Sequence, residues 1–208
     1  MIGVYKKISK QEINKDRISA NGKHYNLNHD KELIVDMKFK GQDLKKENVN
    51  SQGWERSSSE YFKSLNEKHP EYFSKKNQVL IQNNKSPIVD KQFIEHFPQY
   101  KDFQNEKLIH HHVGGDGQAV AVPQSIHKGF GEIHNVEKNL GITKNGEEFS
   151  KKCERLCKNN NKNYNKNSSE LRKELNRLET KNNISKENNN AKEELSVKKD
   201  NQSIDRNY

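Results

Sequence analysis

The sequence predicts an α+β domain: a mainly helical lead-in around a strand–loop–strand–helix hairpin, followed by a polar tail that is disordered or partly helical. Three observations predict it. Apolar residues recur at helical spacing between residues 57 and 97, with a capping residue before each run. Two short β-prone runs, Lys107 to Val113 and Ala119 to Val122, flank Gly114-Gly115-Asp116-Gly117, a turn signal. Trp54, most Phe and Tyr residues and all four prolines lie before position 131, and beyond about residue 145 the chain becomes a Lys/Glu/Asn background.

With 208 residues and only 29% of them hydrophobic, the chain is too polar to bury a core along its whole length. The expected organisation is therefore a polar region of uncertain structure over residues 1–50, a compact domain over 51–145, and a low-complexity tail over 146–208.

Ile34 to Phe39 alternates weakly and reads as a strand. Ser57 to Ser59 can cap a helix that carries Tyr61, Phe62 and Leu65 on one face. His69-Pro70 ends it, because the residue before proline disfavours helical dihedrals. Ser74 can cap a second helix holding Val79 and Leu80 and stopping near Asn83-Asn84. Pro87 to Asp90 starts a third, with Phe93, Ile94 and Phe97 at helical spacing. After the two β-prone runs, Pro123 can sit in the first turn of a helix, where its missing N–H costs nothing. That helix carries Ser125, Ile126 and His127. In the tail, Ser169 to Thr180 has leucines at helical spacing, while Asn159 to Asn167 and Asn188 to Asn190 are low-complexity runs that read as disordered.

The net charge of +9 favours nucleic acid or an anionic membrane surface as partner. No apolar run approaches the roughly 20 residues needed to span a bilayer. The start, Met1-Ile-Gly-Val-Tyr-Lys-Lys, lacks the apolar stretch of a secretory signal. Cys153 and Cys157 read as two thiols on a polar helix, because two cysteines without nearby ligands make no zinc site.

The chemistry sits between Leu108 and Asn135, where His110, His111, His112, His127 and His134 fall in an apolar, glycine-punctuated segment. Imidazole both binds divalent metals and accepts a proton near neutral pH. Phosphodiester hydrolysis needs a deprotonated water, charge to offset that on phosphorus, and a stabilised leaving oxygen. Adjacent strand residues point to opposite faces, so neighbouring histidines can divide this work. Either His110 binds metal with His111 as base, or His111 binds metal with His112 as base; His111 belongs to both readings. His127 is the natural helix ligand, and His134 can complete the metal shell or grip a phosphate. Lys128 and Gln118 are candidate nucleic-acid contacts. Asp116 and Glu132 read as a turn residue and a solvated acid rather than as ligands, and Trp54 reads as core rather than as a platform for a base.

The string His110-His-His112, then Val-Pro ahead of His127, then Gly-x-Ile-His134 resembles the HNH/endonuclease VII superfamily, in the branch found as toxin domains of bacterial polymorphic toxins. The likeness includes Gly53-Trp54, His69-Pro-Glu-Tyr-Phe-Ser-Lys-Lys-Asn77, Pro87-Ile-Val-Asp90, Phe97-Pro98 and His134-Asn-Val-Glu137, and runs from about Gly53 to Ile142. It implies a ββα-metal (His-Me finger) hairpin and an endonuclease that hydrolyses DNA. It places the base and first ligand among His110, His111 and His112 and the helix ligand at His127, around one divalent ion, Mg²⁺ first, with Zn²⁺, Mn²⁺ or Ni²⁺ as alternatives. It further implies a monomeric effector, secreted or delivered to act in the cytoplasm of a target cell, and neutralised by an immunity protein; the positive charge makes that partner acidic. The family's asparagine, which orients the base, has no clear equivalent; Val120 stands near its place. The alternatives are an RNase toxin of the same fold and a non-catalytic, metal-stabilised nucleic-acid-binding module.

Overall fold

The structure is a computed structural model that describes residues 16–18, 22–27, 29–42, 48–113, 117–127, 132–139, 141–159 and 164–204. The chain divides into two compact units, Met1–Ser168 and Ser169–Tyr208.

The first unit opens with a two-stranded antiparallel hairpin, β1 (Asp16–Ile18) with β2 (His24–Asn26). A single 3-10 turn, Lys31–Leu33, leads to β3 (Val35–Asp36). Three short helices follow, and each starts where its capping residue predicts. Ser57 accepts from the Glu60 N–H before α1 (Ser58–Lys68), Ser74 from the Asn77 N–H before α2 (Lys75–Gln82), and Asp90 from the Phe93 N–H before α3 (Lys91–His96). Tyr61, Phe62 and Leu65 of α1 are buried together. On α2 the buried residues are Asn77 and Ile81, while Val79 is exposed. Asn77 is inside because its amide is fully used: Nδ2 donates to the Ile88 carbonyl and to Asp90 Oδ2, and Oδ1 accepts from the Ile88 N–H. Buried polar groups are tolerated on that condition.

β4 (Leu108–His112) and β5 (Gln118–Pro123) form the expected hairpin. The sheet order is β3-β5-β4, all antiparallel, so β5 is central and β4 lies at an edge. Every residue of β5 is buried, as its near-continuous apolar sequence requires. The register sets His110 opposite Ala121, His111 opposite Val120 and His112 opposite Ala119. Directly opposed residues share a face of the sheet, so His110 and His112 stand over two alanines. Pro123 closes β5, and helix α4 (Gln124–His127) begins one residue later. Helices α5 (Glu132–Asn139) and α6 (Ile142–Asn159) complete the unit.

The N-terminal residues contribute to the core: Tyr25, Leu27, Leu33, Val35, Met37 and Phe39 are all buried. Helix α6 is polar outside, but Ser150, Cys153, Leu156 and Cys157 are buried. Its anchor is Trp54, whose Nε1–H donates to Ser150 Oγ at 2.9 Å and whose ring stacks on Phe149. Gly117 lies against the other side of the indole with φ +87°, where an added Cβ would come within 2.5 Å of Trp54 Cε3; only glycine fits there. Trp54 is thus a core residue. The segment before the second unit, read as disordered from sequence, is bound to the sheet region over its described residues: the Phe39 N–H donates to the Lys166 carbonyl and the Ser168 N–H to the Met37 carbonyl.

Helix α7 (Ser168–Ile204) forms the described part of the second unit from Ser169 onward; it runs through Asn188 to Asn190 and is far longer than the leucine pattern suggests. Leu178 and Ile184 are exposed on it. Among the described residues no helix is long and apolar enough to cross a membrane.

Candidate metal centre

Three elements bring three imidazoles together. β4 supplies His111, α4 supplies His127 and α5 supplies His134. One ligand nitrogen from each lies within 4.8 Å of the other two. The ring centroids are 5.5 Å apart for His111 and His127, 4.9 Å for His111 and His134, and 5.3 Å for His127 and His134. His111 is fully buried, while His134 is exposed.

Three nitrogens converging this closely fit one divalent cation. Their protonation suits the task as well. Burial, then the neighbouring His134 and His110, holds the His111 pKa well below its usual value. Burial, then His111 and His134, lowers that of His127 to about 4. Both rings are therefore neutral at neutral pH, the form that binds metal.

His110 and His112 point to the other face of the strand, as alternation requires. They meet edge to face at 5.4 Å, and His110 stacks on Tyr61. His110 falls outside the trio. Burial is the first cause of the low pKa of each, about 4 for His110 and about 3 for His112.

His112 has a fixed tautomer. Its Nε2 is 3.0 Å from the Glu55 carbonyl oxygen. A carbonyl only accepts, so Nε2 carries the proton and Nδ1 carries the lone pair. That Nδ1 has no hydrogen-bond partner among the described residues. The Glu55 backbone thus orients the His112 ring; Val120, opposite His111, has no polar group to offer.

Beside the trio lies a cavity of about 420 Å³, lined by His110, His112, His127 and His134 and by Arg56 and Lys138 among others. Arg56 is exposed, and its charge is among the causes that depress His110, His112 and His127. Sequence reading passed over Arg56, Lys138 and Glu55. The Ser57 cap two residues after Glu55 was legible, but the approach of this segment to β4 is a tertiary contact without a local signature.

Of the remaining sequence candidates, Gln118 is buried and donates to Asp36 Oδ1 at 3.3 Å. It lies within the sheet rather than on a nucleic-acid face. Lys128, Asp116 and the Glu132 side chain fall outside the described residues.

The model of a family described as an HNH/Endo VII superfamily nuclease toxin with a HHH motif matches residues 31–135. The chain belongs to this family. The match starts some twenty residues before the Gly53 at which the sequence resemblance began, and the fold supplies the reason: Val35 and Asp36 pair with Ala119 and Gln118 of the central strand. The HHH of this nuclease toxin is His110-His111-His112 on β4. No curated protein and no solved structure matches the chain.

Proposed function

We propose that this nuclease toxin is a metal-dependent endonuclease that hydrolyses DNA, with His111, His127 and His134 as metal ligands and His112 as general base. The observation that carries this reading is the convergence of three imidazole nitrogens within 4.8 Å, one strand position away from a histidine whose tautomer leaves a lone pair at Nδ1. It corresponds to the second of the two readings of the histidine run, within a ββα-metal arrangement formed by β4, β5 and α4.

His112 accepts the proton of the attacking water at Nδ1, while Glu55 holds the opposite side of its ring. His111, His127 and His134 would hold a divalent cation, which would supply positive charge to offset that developing in phosphodiester hydrolysis. Three nitrogen donors suit Zn²⁺, Ni²⁺ or Mn²⁺ better than Mg²⁺, which prefers oxygen ligands. Arg56 and Lys138 line the cavity on the approach to the histidines and grip the phosphodiester backbone. Arg56→Gln is expected to weaken binding of a catalytically inert duplex and to lower the slope of log affinity against log salt by about one, read by fluorescence anisotropy across a salt series. An unchanged slope removes Arg56 from the phosphate contacts.

An acidic immunity protein that covers this cavity fits the basic chain, and the protein acts as an effector delivered into a target cell. The deciding experiment incubates purified protein with supercoiled plasmid and with total RNA, as purified, after chelation, and after return of single metals. Nicking and linearisation of plasmid that stops on chelation and returns with Zn²⁺, Ni²⁺ or Mn²⁺ is expected. Cleavage of RNA alone would reassign the substrate, and tight binding without cleavage of either would leave a nucleic-acid-binding module.

A further inference from the structure

Glu137 is the only acidic residue among the buried, described residues, with 4% of its surface exposed. It sits on α5, three residues after His134, a spacing that places both on one helix face. Its Oε1 is 2.9 Å from His111 Nε2, and its Oε2 is 4.0 Å from His134 Nδ1. The sequence contains this pair as His134-Asn-Val-Glu137; the nuclease reading uses His134 as a ligand and gives Glu137 no task.

With Glu137 taken as the carboxylate, which accepts hydrogen bonds and donates none, His111 Nε2 is the donor of the 2.9 Å contact. A neutral imidazole has one N–H, so the lone pair of His111 is at Nδ1. That atom is buried and has no hydrogen-bond partner among the described residues. We propose that Glu137 is a positioning residue: it locks His111 in the Nε2–H tautomer and presents Nδ1 to the metal. The inference rests on the reading of His111 as a ligand. A carboxylate on the outer nitrogen of a ligating histidine fixes the ring and raises its basicity, and its loss weakens metal binding by about 10–100-fold.

The test uses the full chain, labelled with ¹⁵N at histidine and stripped of metal. Imidazole ¹⁵N shifts distinguish a protonated from an unprotonated ring nitrogen, and His111→Asn assigns the resonances. The expected result is a protonated Nε2 and an unprotonated Nδ1 at His111, with added Zn²⁺ moving the Nδ1 resonance while the Nε2 proton stays. Calorimetric titration with Zn²⁺ and with Ni²⁺ is expected to give affinities about 10–100-fold weaker in Glu137→Ala, with partial recovery in Glu137→Gln, whose amide oxygen still accepts. A proton on Nδ1 in the wild type overturns the inference. So does loss of the Nε2 proton on adding Zn²⁺, which would make Glu137 a direct ligand, and so does unchanged affinity in a folded Glu137→Ala. If that variant fails to fold, the wild-type spectra and Glu137→Gln decide. Failure of the two readings is distinguishable: a protein that binds metal as described yet cuts nothing sinks the nuclease proposal alone, and one that binds no metal sinks both.

Discussion

His112→Ala is expected to lower the rate of phosphodiester cleavage by about 10²–10⁴-fold, the usual contribution of a positioned general base, while metal affinity stays at the wild-type level. The two effects separate because His112 lies outside the trio of converging nitrogens. Its own bond is to the Glu55 carbonyl, so its removal takes away a proton acceptor and leaves the ligand set in place. His111→Ala is expected to lose both cleavage and metal binding. It also strips a buried carboxylate of the ring that it holds, so its melting curve must be recorded beside its activity. Single-turnover cleavage of plasmid and calorimetric titration of Zn²⁺, run on both variants, read the two properties independently. Wild-type cleavage by His112→Ala would remove it as the base. If His110→Ala lost metal binding while His111→Ala kept it, the roles would move one residue along the strand.

The largest expected effect on stability is at Trp54. Trp54→Ala is expected to cost about 3–5 kcal/mol, more than half the stability of a domain at the lower end of the usual range. The indole is fully buried. It meets Phe39 at 4.9 Å edge to face and Phe149 at 5.7 Å in a stack, and it donates to the buried Ser150 hydroxyl. Its loss opens a cavity between the loop before α1 and helix α6 and leaves Gly117 facing empty space. Trp54→Phe restores much of the volume but not the hydrogen bond, and is expected to fall between. Because Trp54 is the chain's only tryptophan, its fluorescence disappears with it, and the comparison is made by far-UV circular dichroism in urea. Equal midpoints for wild type and Trp54→Ala would show that α6 does not depend on this contact.

Much of the site was readable because its signals are local. Ser57, Ser74 and Asp90 announce three helices by the chemistry of a single residue each. The histidine run, its turn and the Pro123 break mark a hairpin and a helix within twenty residues. Other features come from contacts between distant segments. Ile34 to Phe39 announces a strand by its alternation, but only Val35–Asp36 forms one, because those two residues pair with the central strand, and that partner is not written within the segment. The buried face of α6 is made of Ser150, Cys153, Leu156 and Cys157; Leu156 apart, these are small side chains that a hydrophobicity pattern reads weakly. In sequence, Glu137 is only the last residue of the His134-Asn-Val-Glu137 likeness; burial beside His111 gives it meaning. The choice among three consecutive histidines needed the positions of His127 and His134, which adjacency in sequence does not contain.

The pairing of β4 with β5 places Ala121 across from His110 and Ala119 across from His112. A single methyl group at each of these places leaves room on the sheet for an imidazole to stand upright and reach past the strand edge. A bulkier neighbour would crowd the rings away from their partners while touching no polar atom. The smallest side chains of the central strand therefore hold open the space beside the proposed base, and under that reading a loss of activity can begin in residues that have no chemistry of their own.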